Sequence, residues 1–486
     1  MHPNDSRYAQ YAHGDTFELE WINGTITATI IKDESVDMEF GTGVMTITPS
    51  HSQVDYEIAG RHNLDIEQVI DWRGKLLPIA GEFTGMNIKD ARPKIVEKLE
   101  EKGLLVKTDF EYANVVKRCY KCSTIIEPQI KEQWFVKMKP LAEMALDSID
   151  KKEVTFIPDN YEKIFRYWME NTIDWNISRQ IVWGIQIPAW FKNKGEKNEE
   201  VVASVSKPGD DFFQDTDTFD TWFSSGQWPL LSLGYPNDND FKTFYPTDVM
   251  ETGSDLIFKW VPRMVIFGLY LARKAPFHTV YLHGLVNDAQ GKKMSKSKGN
   301  VVNPLTLTEK FGTDALRMAL IIGNTPGTSL ALSEDKIKAY KHFANKIWNI
   351  TRFITTVAGP KPSALPVLID TDLKLKAELL ERIEDITKEM EGYKFYIAAE
   401  KLYHYVWDRF AAELLEESKP LLAGSDEVAN ASRKTLLRTL LSRSLHALHP
   451  FMPFVTEEIW RSFPGKKDFL MTGAVSYTHL TLPTNR

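Results

Sequence analysis

The chain has 486 residues, of which 43% are hydrophobic and 12% aromatic, including 13 tryptophans. This composition excludes a disordered or collagen-like chain, and the length predicts two to four domains of roughly 150 residues each. A net charge of -7 argues against a DNA-binding protein of the general coating type, and two cysteines exclude a disulfide framework. No apolar run approaches the roughly 20 residues that span a bilayer, and no signal peptide opens the sequence. We therefore expect a cytoplasmic protein with neither membrane nor DNA as a partner.

The first 110 residues predict a compact α+β domain. Strand-forming residues alternate from Thr16 to Thr48, and the last strand of this series is expected around Val44 and Ile47. Helical spacing and a glycine stop follow in two later segments. The two predicted turns are Asn23-Gly24 and Gly41-Thr42-Gly43, and the two predicted helices are Val54 to His62 and Ile88 to Gly103.

Residues 111–157 predict a linker that holds the Cys119-Tyr-Lys-Cys122 knuckle and a short helix around Pro140 to Leu146. Residues 158–332 predict an α/β core that carries the chemistry, because short apolar strands alternate there with helical stretches, as in a parallel α/β sheet. The predicted strands are Asp248 to Met250 and His278 to His283, and the predicted helices are Ile257 to Ala272, Pro304 to Phe311 and Asp314 to Ile322.

Residues 333–474 predict an all-helical bundle, since the strand pattern stops and apolar residues recur at helical spacing. One such face carries Phe343, Ile347, Ile350 and Ile354, and another carries Leu437, Leu441, Leu445 and Leu448. Breaks between helices are expected at Gly359 to Pro362, Pro420 to Ser425 and His449-Pro450. Residues 475–486 continue no periodicity and predict a tail that is either non-native or disordered.

The strongest motif is a lysine-rich loop, Gly291-Lys292-Lys293-Met294-Ser295-Lys296-Ser297-Lys298-Gly299-Asn300. An arbitrary lysine run is usually a solvated surface loop. Here the ammonium groups and hydroxyls lie beside a predicted α/β sheet, where they suit a triphosphate because they neutralise the charge that develops on an attacked phosphorus. The string Lys293-Met294-Ser295-Lys296-Ser297, with His283-Gly284 upstream, is similar to the second signature of class I aminoacyl-tRNA synthetases.

Much more of the chain resembles the valyl-tRNA synthetase family, from residue 2 to about residue 470. Isoleucyl and leucyl enzymes share the architecture and are the nearest alternatives. Residues 119–137 and the run from Phe244 to Trp260 are more similar to the valyl group. Further segments that resemble this family include Glu39-Phe40-Gly41-Thr42-Gly43, Arg61-His62-Asn63-Leu64, Gln133-Trp134-Phe135-Val136-Lys137, Asp220-Thr221-Trp222-Phe223-Ser224-Ser225 and His449-Pro450-Phe451-Met452-Pro453-Phe454.

The resemblance implies a fold with several domains, α/β and α: an incomplete class I Rossmann-like catalytic core whose second half is residues 158–332, an inserted β-rich editing domain over residues 1–110, and a helical anticodon-binding bundle. It implies that ATP with Mg²⁺, valine and tRNA(Val) are the partners of a monomeric valine-tRNA ligase. The catalytic residues would be Lys293 and Lys296, with Lys296 stabilising the transition state of adenylate formation. The ATP site would comprise His283, Gly284, Lys293, Met294, Ser295, Lys296 and Ser297, and the valine site would comprise Trp222, Asp255 and Trp260.

The resemblance also implies hydrolytic editing of mischarged threonyl-tRNA(Val). A valine-sized apolar pocket rejects threonine only about a hundredfold, a known property of this enzyme class, so a second site is required. The editing residues would be Thr42 and Thr48 at a terminal ribose and Asp55 at the free α-amino group. Two departures put the discrimination of threonine in doubt: Thr46 stands where a lysine is common, and Ser52 where an aspartate is common. A Gly-Thr-Gly turn alone is more often a bulge or a tight hairpin.

Cys119 and Cys122 have the spacing of half a Zn²⁺ knuckle, which needs four ligands, so free thiols in a tight turn are the expectation and bound Zn²⁺ is the alternative. Further departures are Ser254 at a usually aromatic position and Lys259 at a usually apolar one. The His-x-Gly-His signature and a Thr-x-Arg-Pro-Glu-Thr segment are absent from the sequence. Both would precede residue 1, so we expect an N-terminally truncated product that is inactive alone. The alternative is a non-catalytic tRNA-binding module.

Overall fold

The computed structural model describes residues 1–113, 115–119, 122–294, 299–359, 366–463 and 468–472. The chain divides into two compact units, Met1–Gln133 and Trp134–Arg486, and the division falls inside the segment predicted as a linker. None of the helices in these ranges is long and apolar enough to cross a membrane.

The first unit contains a hairpin and two helices whose bounds agree closely with the sequence prediction. They are β1 (Thr16–Trp21), β2 (Gly24–Thr29), α1 (Gln53–His62) and α2 (Ile88–Glu101). Strands β1 and β2 pair antiparallel around the predicted Asn23-Gly24 turn. Helix α1 begins after Ser52, whose hydroxyl accepts a hydrogen bond from the Asp55 N–H, and ends at Asn63 in the left-handed conformation. The core of this unit is formed by Ile70, Leu76, Phe83 and Ala91.

The predicted strand around Val44 and Ile47 is wrong. Residues 30–52, all of them described, form turns and extended segments without strand pairing, and Val44 is 41% exposed. Alternation of apolar residues produces a strand only where a partner strand takes up the backbone hydrogen bonds. In this segment turns satisfy part of the backbone instead, because the Gly43 N–H donates to the Phe40 carbonyl at 3.0 Å and the His51 N–H to the Thr48 carbonyl at 3.0 Å.

The second unit opens with short strands and helices that lead to a parallel sheet. Helix α3 matches the helix predicted around Pro140 to Leu146, and α3 and α4 pack together on a shared apolar core. The elements are β3 (Phe135–Val136), α3 (Lys139–Asp150), β4 (Thr155–Ile157), α4 (Asn160–Glu170), β5 (Trp175–Asn176), β6 (Ser178–Arg179), β7 (Ala189–Lys192), β8 (Glu200–Ala203), β9 (Phe213–Gln214), β10 (Thr218–Phe219), α5 (Thr221–Ser225), α6 (Trp228–Leu231) and α7 (Asn239–Phe244).

A parallel sheet forms the centre of the second unit, as the α/β pattern predicts. The elements of this segment are β11 (Thr247–Gly253), α8 (Trp260–Phe267), β12 (Phe277–His283), β13 (Val286–Asn287), α9 (Pro304–Phe311), α10 (Thr313–Ile321) and β14 (Leu330–Ala331), and β13 pairs with β14 in a separate small sheet. Within the described residues the strand order is β11-β12-β4, and both pairs are parallel. The buried side chains of Val280 and Leu282 alternate with outward ones along β12, and α8 covers the sheet with Val261, Met264 and Val265.

Helices alone follow β14 in the described part of the chain, and both predicted faces are buried. The helices are α11 (Glu334–Ala358), α12 (Asp370–Glu391), α13 (Phe395–His404), α14 (Leu415–Ala423), α15 (Glu427–Leu448) and α16 (Pro453–Ser462), with a π-helical segment, Tyr405–Leu414, between α13 and α14. The break predicted over Pro420 to Ser425 falls at the end of that range, since α14 continues to Ala423. Proline removes one hydrogen bond there, while the buried Leu415 and Ser418 hold the helix in the bundle.

Candidate active site

The carboxyl ends of β11 and β12 bring Asp255 and His283 together. Gly253 is paired in register with His283, and Asp255 follows two residues after the end of β11. A Cβ atom added at Gly253 would lie 2.9 Å from Asp255 Oδ1 and 3.6 Å from His283 Nε2. Since ligands of open parallel sheets bind beyond the carboxyl ends of the strands, this edge is the candidate ligand site.

The two ionisable side chains at this edge have different surroundings. His283 Nδ1 contacts the Glu251 carboxylate, which fixes the imidazole ring above the end of β12. The Asp255 carboxylate is exposed and has no hydrogen-bond or ion-pair partner among the described side chains. It is therefore accessible to a cationic group of a ligand.

Gly284 is buried because the chain passes directly over it. A side chain at this position would overlap the backbone carbonyl of Thr328. The Gly327 N–H donates to the Leu282 carbonyl at 2.8 Å, and the Leu330 N–H donates to the Leu285 carbonyl at 2.9 Å, so this strand end and the segment before β14 are joined on both sides of the glycine. Glycine is thus required here for a close approach of two backbones.

Trp222 lies in the short helix α5, and Trp260 is hydrogen-bonded to this helix. The Trp260 indole N–H donates to the Ser225 carbonyl at 2.8 Å, and the Trp222 backbone N–H donates to Asp220 Oδ1 at 3.4 Å. Both rings are half-buried against the core of the sheet. The ammonium of Lys259, one of the departures from the family pattern, lies 5.9 Å from the centroid of the Trp222 ring.

Asp220 connects this tryptophan pair to the rest of the unit. Its carboxylate accepts a hydrogen bond from the Trp175 indole N–H at 2.9 Å and pairs with Arg179 Nη2 at 3.0 Å. The Arg263 guanidinium lies over the Trp175 ring, 4.3 Å from its centroid, and burial lowers the pKa of Arg263. The sequence analysis did not select Asp220 as a site residue, although its place just before α5 is a typical N-cap position.

The base of the lysine-rich loop is closed by Asp288 and Asn300. The Asn300 amide donates to Asp288 Oδ2 at 2.8 Å and to the Lys293 carbonyl at 3.3 Å, and the Lys292 N–H donates to Asp288 Oδ1 at 2.8 Å. The hydrogen bond from Asn300, the largest of these influences, lowers the pKa of Asp288. Lys293 is exposed and Met294 half-buried, whereas the predicted Ser295, Lys296 and Ser297 lie outside the described residues.

In the first unit, Asp55 lies beside Thr48 and away from direct contact with Thr42. Asp55 Oδ2 accepts hydrogen bonds from the Thr48 N–H at 2.8 Å and from its hydroxyl at 3.5 Å. Asp55 Oδ1 accepts none from the described residues. Thr42 lies in a turn whose carbonyl accepts a hydrogen bond from the Tyr8 hydroxyl at 2.7 Å. The buried Asp55 carboxylate thus holds the Thr48 loop with one oxygen, and its other oxygen has no hydrogen-bond partner among the described residues.

Comparison with known proteins identifies the family. Residues 55–333, more than half of the chain, match the family model described as tRNA synthetases class I (I, L, M and V). The chain belongs to this class I synthetase family. Residues 372–479 also match the model of the anticodon-binding domain of tRNA ligases. The family and the fold class predicted from sequence are confirmed.

The relatives of this synthetase chain are themselves longer proteins. It is 41% identical to the valine-tRNA ligase of Latilactobacillus sakei over 493 residues, which cover 99% of this chain and 55% of that protein. It is also 41% identical to the valine-tRNA ligase of Thermotoga maritima, covering 96% of this chain and 54% of that protein. The chain therefore spans about half the length of the curated relatives that it matches.

Solved class I structures share the fold. The Mycobacterium tuberculosis methionyl-tRNA synthetase bound to methionyl-adenylate superposes with a TM-score of 0.56 at 20% sequence identity, over 71% of this chain and 65% of that chain. A second methionyl-adenylate complex of the same enzyme gives a TM-score of 0.55. At this level of identity the similarity establishes the fold alone.

The helical bundle of this synthetase has an exposed face on α11. Trp348 is 44% exposed and Arg352 is exposed, while Phe353 is packed partly against the bundle core. Phe353 also lines a cavity of about 170 Å³ together with Lys346 and Lys419. Trp348 therefore lies at the surface of the bundle, whereas Phe353 belongs partly to its core.

The cysteine knuckle contains two thiols, which are half of the ligands of a Zn²⁺ site. The Ser123 N–H donates to the Cys119 carbonyl at 2.8 Å, which closes a tight turn. The Thr124 hydroxyl lies 3.3 Å from Cys122 Sγ and lowers the pKa of this thiol, because a hydroxyl can donate to the thiolate. No group of three His, Cys, Asp or Glu side chains suited to a metal occurs in the described ranges. Two thiolates do not complete the four ligands that zinc requires.

Proposed function

We propose that this chain is part of a valine-tRNA ligase. The observation that carries the proposal is the meeting of Asp255, His283 and Gly284 at one edge of a parallel sheet, in a chain 41% identical to valine-tRNA ligases along nearly its whole length. In the first reaction the valine carboxylate attacks the α-phosphorus of ATP and releases pyrophosphate. In the second a ribose hydroxyl of tRNA(Val) attacks the carbonyl carbon of the adenylate and releases AMP.

The proposed roles follow the chemistry of each side chain. The unpaired Asp255 carboxylate would bind the valine ammonium, and the rings of Trp222 and Trp260, both fixed to α5, would enclose its apolar side chain. His283 and Gly284 would border the adenosine. The ammonium groups of Lys293 and Lys296 would neutralise the phosphates, with Mg²⁺ accompanying the ATP. Because Asp288 and Asn300 hold the base of the loop, Lys293 starts from a defined backbone position.

We further propose that the first unit hydrolyses threonyl-tRNA(Val). Asp55 Oδ1, which has no hydrogen-bond partner among the described residues, would bind an α-ammonium group, while Oδ2 holds the Thr48 loop that would border the terminal ribose. Thr42 would contribute through its turn. A translation enzyme of this kind would act in the cytoplasm, and its helical bundle would bind tRNA through the exposed Trp348 and Arg352.

Pyrophosphate exchange tests the proposal directly. The protein produced from the complete open reading frame that contains this sequence is incubated with ATP, labelled pyrophosphate and one amino acid at a time. We expect exchange to be fastest with valine, slower with threonine by about a hundredfold, and slow with isoleucine, leucine and methionine. Preference for isoleucine or leucine would assign the chain to a different member of the family. Absence of exchange with every amino acid, together with retained tRNA binding, would favour a non-catalytic tRNA-binding module.

A further inference from the structure

Two side chains of α10 form hydrogen bonds with the backbone at the turn that joins α15 to α16. Asp314 Oδ1 accepts a hydrogen bond from the Phe454 N–H at 3.2 Å, and Asp314 Oδ2 accepts one from the Val455 N–H at 2.6 Å. Arg317 Nε donates to the Phe451 carbonyl at 3.1 Å, and Arg317 Nη2 donates to the Pro450 carbonyl at 2.9 Å. The two residues are three positions apart on α10, so they project from one face of the helix.

Asp314 and Arg317 bind backbone groups at the ends of α15 and α16 that have no partner within their own helix. Helix α16 has no side-chain cap from its own N-cap residue, Met452, and a helix start leaves N–H groups without partners. The Asp314 carboxylate supplies this cap from 140 positions away in the sequence and places a negative charge at the positive end of the α16 dipole. Arg317 takes up the carbonyls just beyond α15. Both ends of the turn are therefore tied to α10.

Helix α10 also belongs to the segment that carries the lysine-rich loop. Ala315, Leu316 and Ala319 share a buried cluster with Leu307 and Phe311 of α9, the helix that follows this loop. Met318 of α10 contributes instead to the core of the bundle. One short helix thus takes part in two cores, and Asp314 and Arg317 add four polar contacts at its bundle side.

We infer that Asp314 and Arg317 are positioning residues that orient the helical bundle, and any tRNA bound to it, relative to the carboxyl edge of the parallel sheet. This inference rests on the proposed function, because orientation matters only if an aminoacyl group passes from the sheet edge to the tRNA. Holding the two reactants in one geometry converts a bimolecular step into an effectively unimolecular one. Small angular errors at a joint become large displacements at the far end of a long ligand. The transfer step is thus expected to depend on this joint, and valine activation is not.

The variants Arg317→Ala and Asp314→Asn test the inference in the complete open reading frame. We expect valine-dependent pyrophosphate exchange to change by less than about twofold, and transfer from preformed valyl-adenylate to tRNA(Val) to slow by about tenfold or more. Binding of tRNA is expected to remain within about twofold, since neither residue is assigned a tRNA contact. The variant Arg317→Gln keeps one donor and is expected to be intermediate. Lys151→Ala, which removes an exposed ion pair with Asp147 on α3, is the control.

Each result decides the question. Transfer at the wild-type rate in folded Arg317→Ala and Asp314→Asn would overturn the inference. Exchange and transfer that fall together in Arg317→Gln, with a lowered melting temperature, would show that the pair serves folding only and would also overturn it. If the unmodified protein shows no exchange at all, the proposed function fails, and this outcome is separate because it involves no variant.

Discussion

Asp55→Asn separates the two tasks that the structure suggests for this carboxylate. The asparagine oxygen can still accept the hydrogen bond from the Thr48 N–H, now made by Asp55 Oδ2 at 2.8 Å, whereas the negative charge is lost. A hydrogen bond to a charged group contributes about 1.5 to 3 kcal/mol. Because about 1.4 kcal/mol corresponds to a factor of ten, Asp55→Asn is expected to slow the hydrolysis of threonyl-tRNA(Val) by about 10- to 150-fold.

The assay measures hydrolysis of preformed threonyl-tRNA(Val), with valine-dependent exchange and the melting temperature measured in parallel. Asp55→Ala also removes the acceptor for Thr48 and is expected to lower the free energy of unfolding by about 1 to 3 kcal/mol, which Asp55→Asn largely preserves. Asp90→Asn makes the same charge change at an exposed position in the first turn of α2 and is the control for the loss of one charge near a helix start. Normal hydrolysis by Asp55→Asn and loss of hydrolysis and stability together in Asp55→Ala would show that Asp55 serves only to hold the Thr48 loop.

Three further substitutions test other parts of the account. Lys296→Ala is expected to slow valine-dependent pyrophosphate exchange by about a hundredfold or more. Lys292→Ala makes the same charge change and is expected to slow exchange by only a few fold. Equal effects of the two substitutions would show that the loop contributes only its net positive charge. Asp372→Ala leaves Arg433 buried without its 2.7 Å ion-pair partner and is expected to cost about 3 to 5 kcal/mol in urea unfolding, whereas an effect below 1 kcal/mol would contradict a paired, buried charge. The hydrogen bond from Arg61 holds the pKa of Asp33 well below its usual range, so this carboxylate stabilises the fold above about pH 4 and loses that contribution as the pH falls further. Asp33→Asn is expected to weaken the dependence of the free energy of unfolding on pH in this acidic range. An unchanged pH dependence would contradict this role of Asp33.

Local sequence patterns predicted most secondary-structure elements, because their causes lie within a few residues. Helix α9 was expected at Pro304 to Phe311, where Pro304 follows an Asn303 N-cap, and the structure gives these bounds. Strand β12 was expected from His278 to His283 and begins one residue earlier, at Phe277. The prediction of a strand near Val44 was wrong because strand formation depends on a partner strand, which no local sequence pattern specifies.

In the candidate site too, the sequence indicated some residues and not others. Asp255 and His283 were selected by resemblance, and parallel pairing of β11 with β12 explains why they meet. The supporting contacts could not be selected, because they join residues that are far apart in the chain. Asp220 reaches Trp175 across 45 positions, and Asp314 reaches Val455 across 141. The sequence signal that Asp220 and Asp314 share is an acidic residue at the start of a helix.

Charging of transcribed tRNA(Val) tests the central claim most directly. The protein from the complete open reading frame is given ATP, Mg²⁺ and labelled valine with either tRNA(Val) or a copy whose anticodon is replaced. The account predicts that tRNA(Val) accepts valine and that the substituted copy accepts it at least about tenfold more slowly, since base contacts supply identity and phosphate contacts do not. Charging of tRNA(Val) with isoleucine or leucine in preference to valine, or no charging while the protein remains folded, would contradict it.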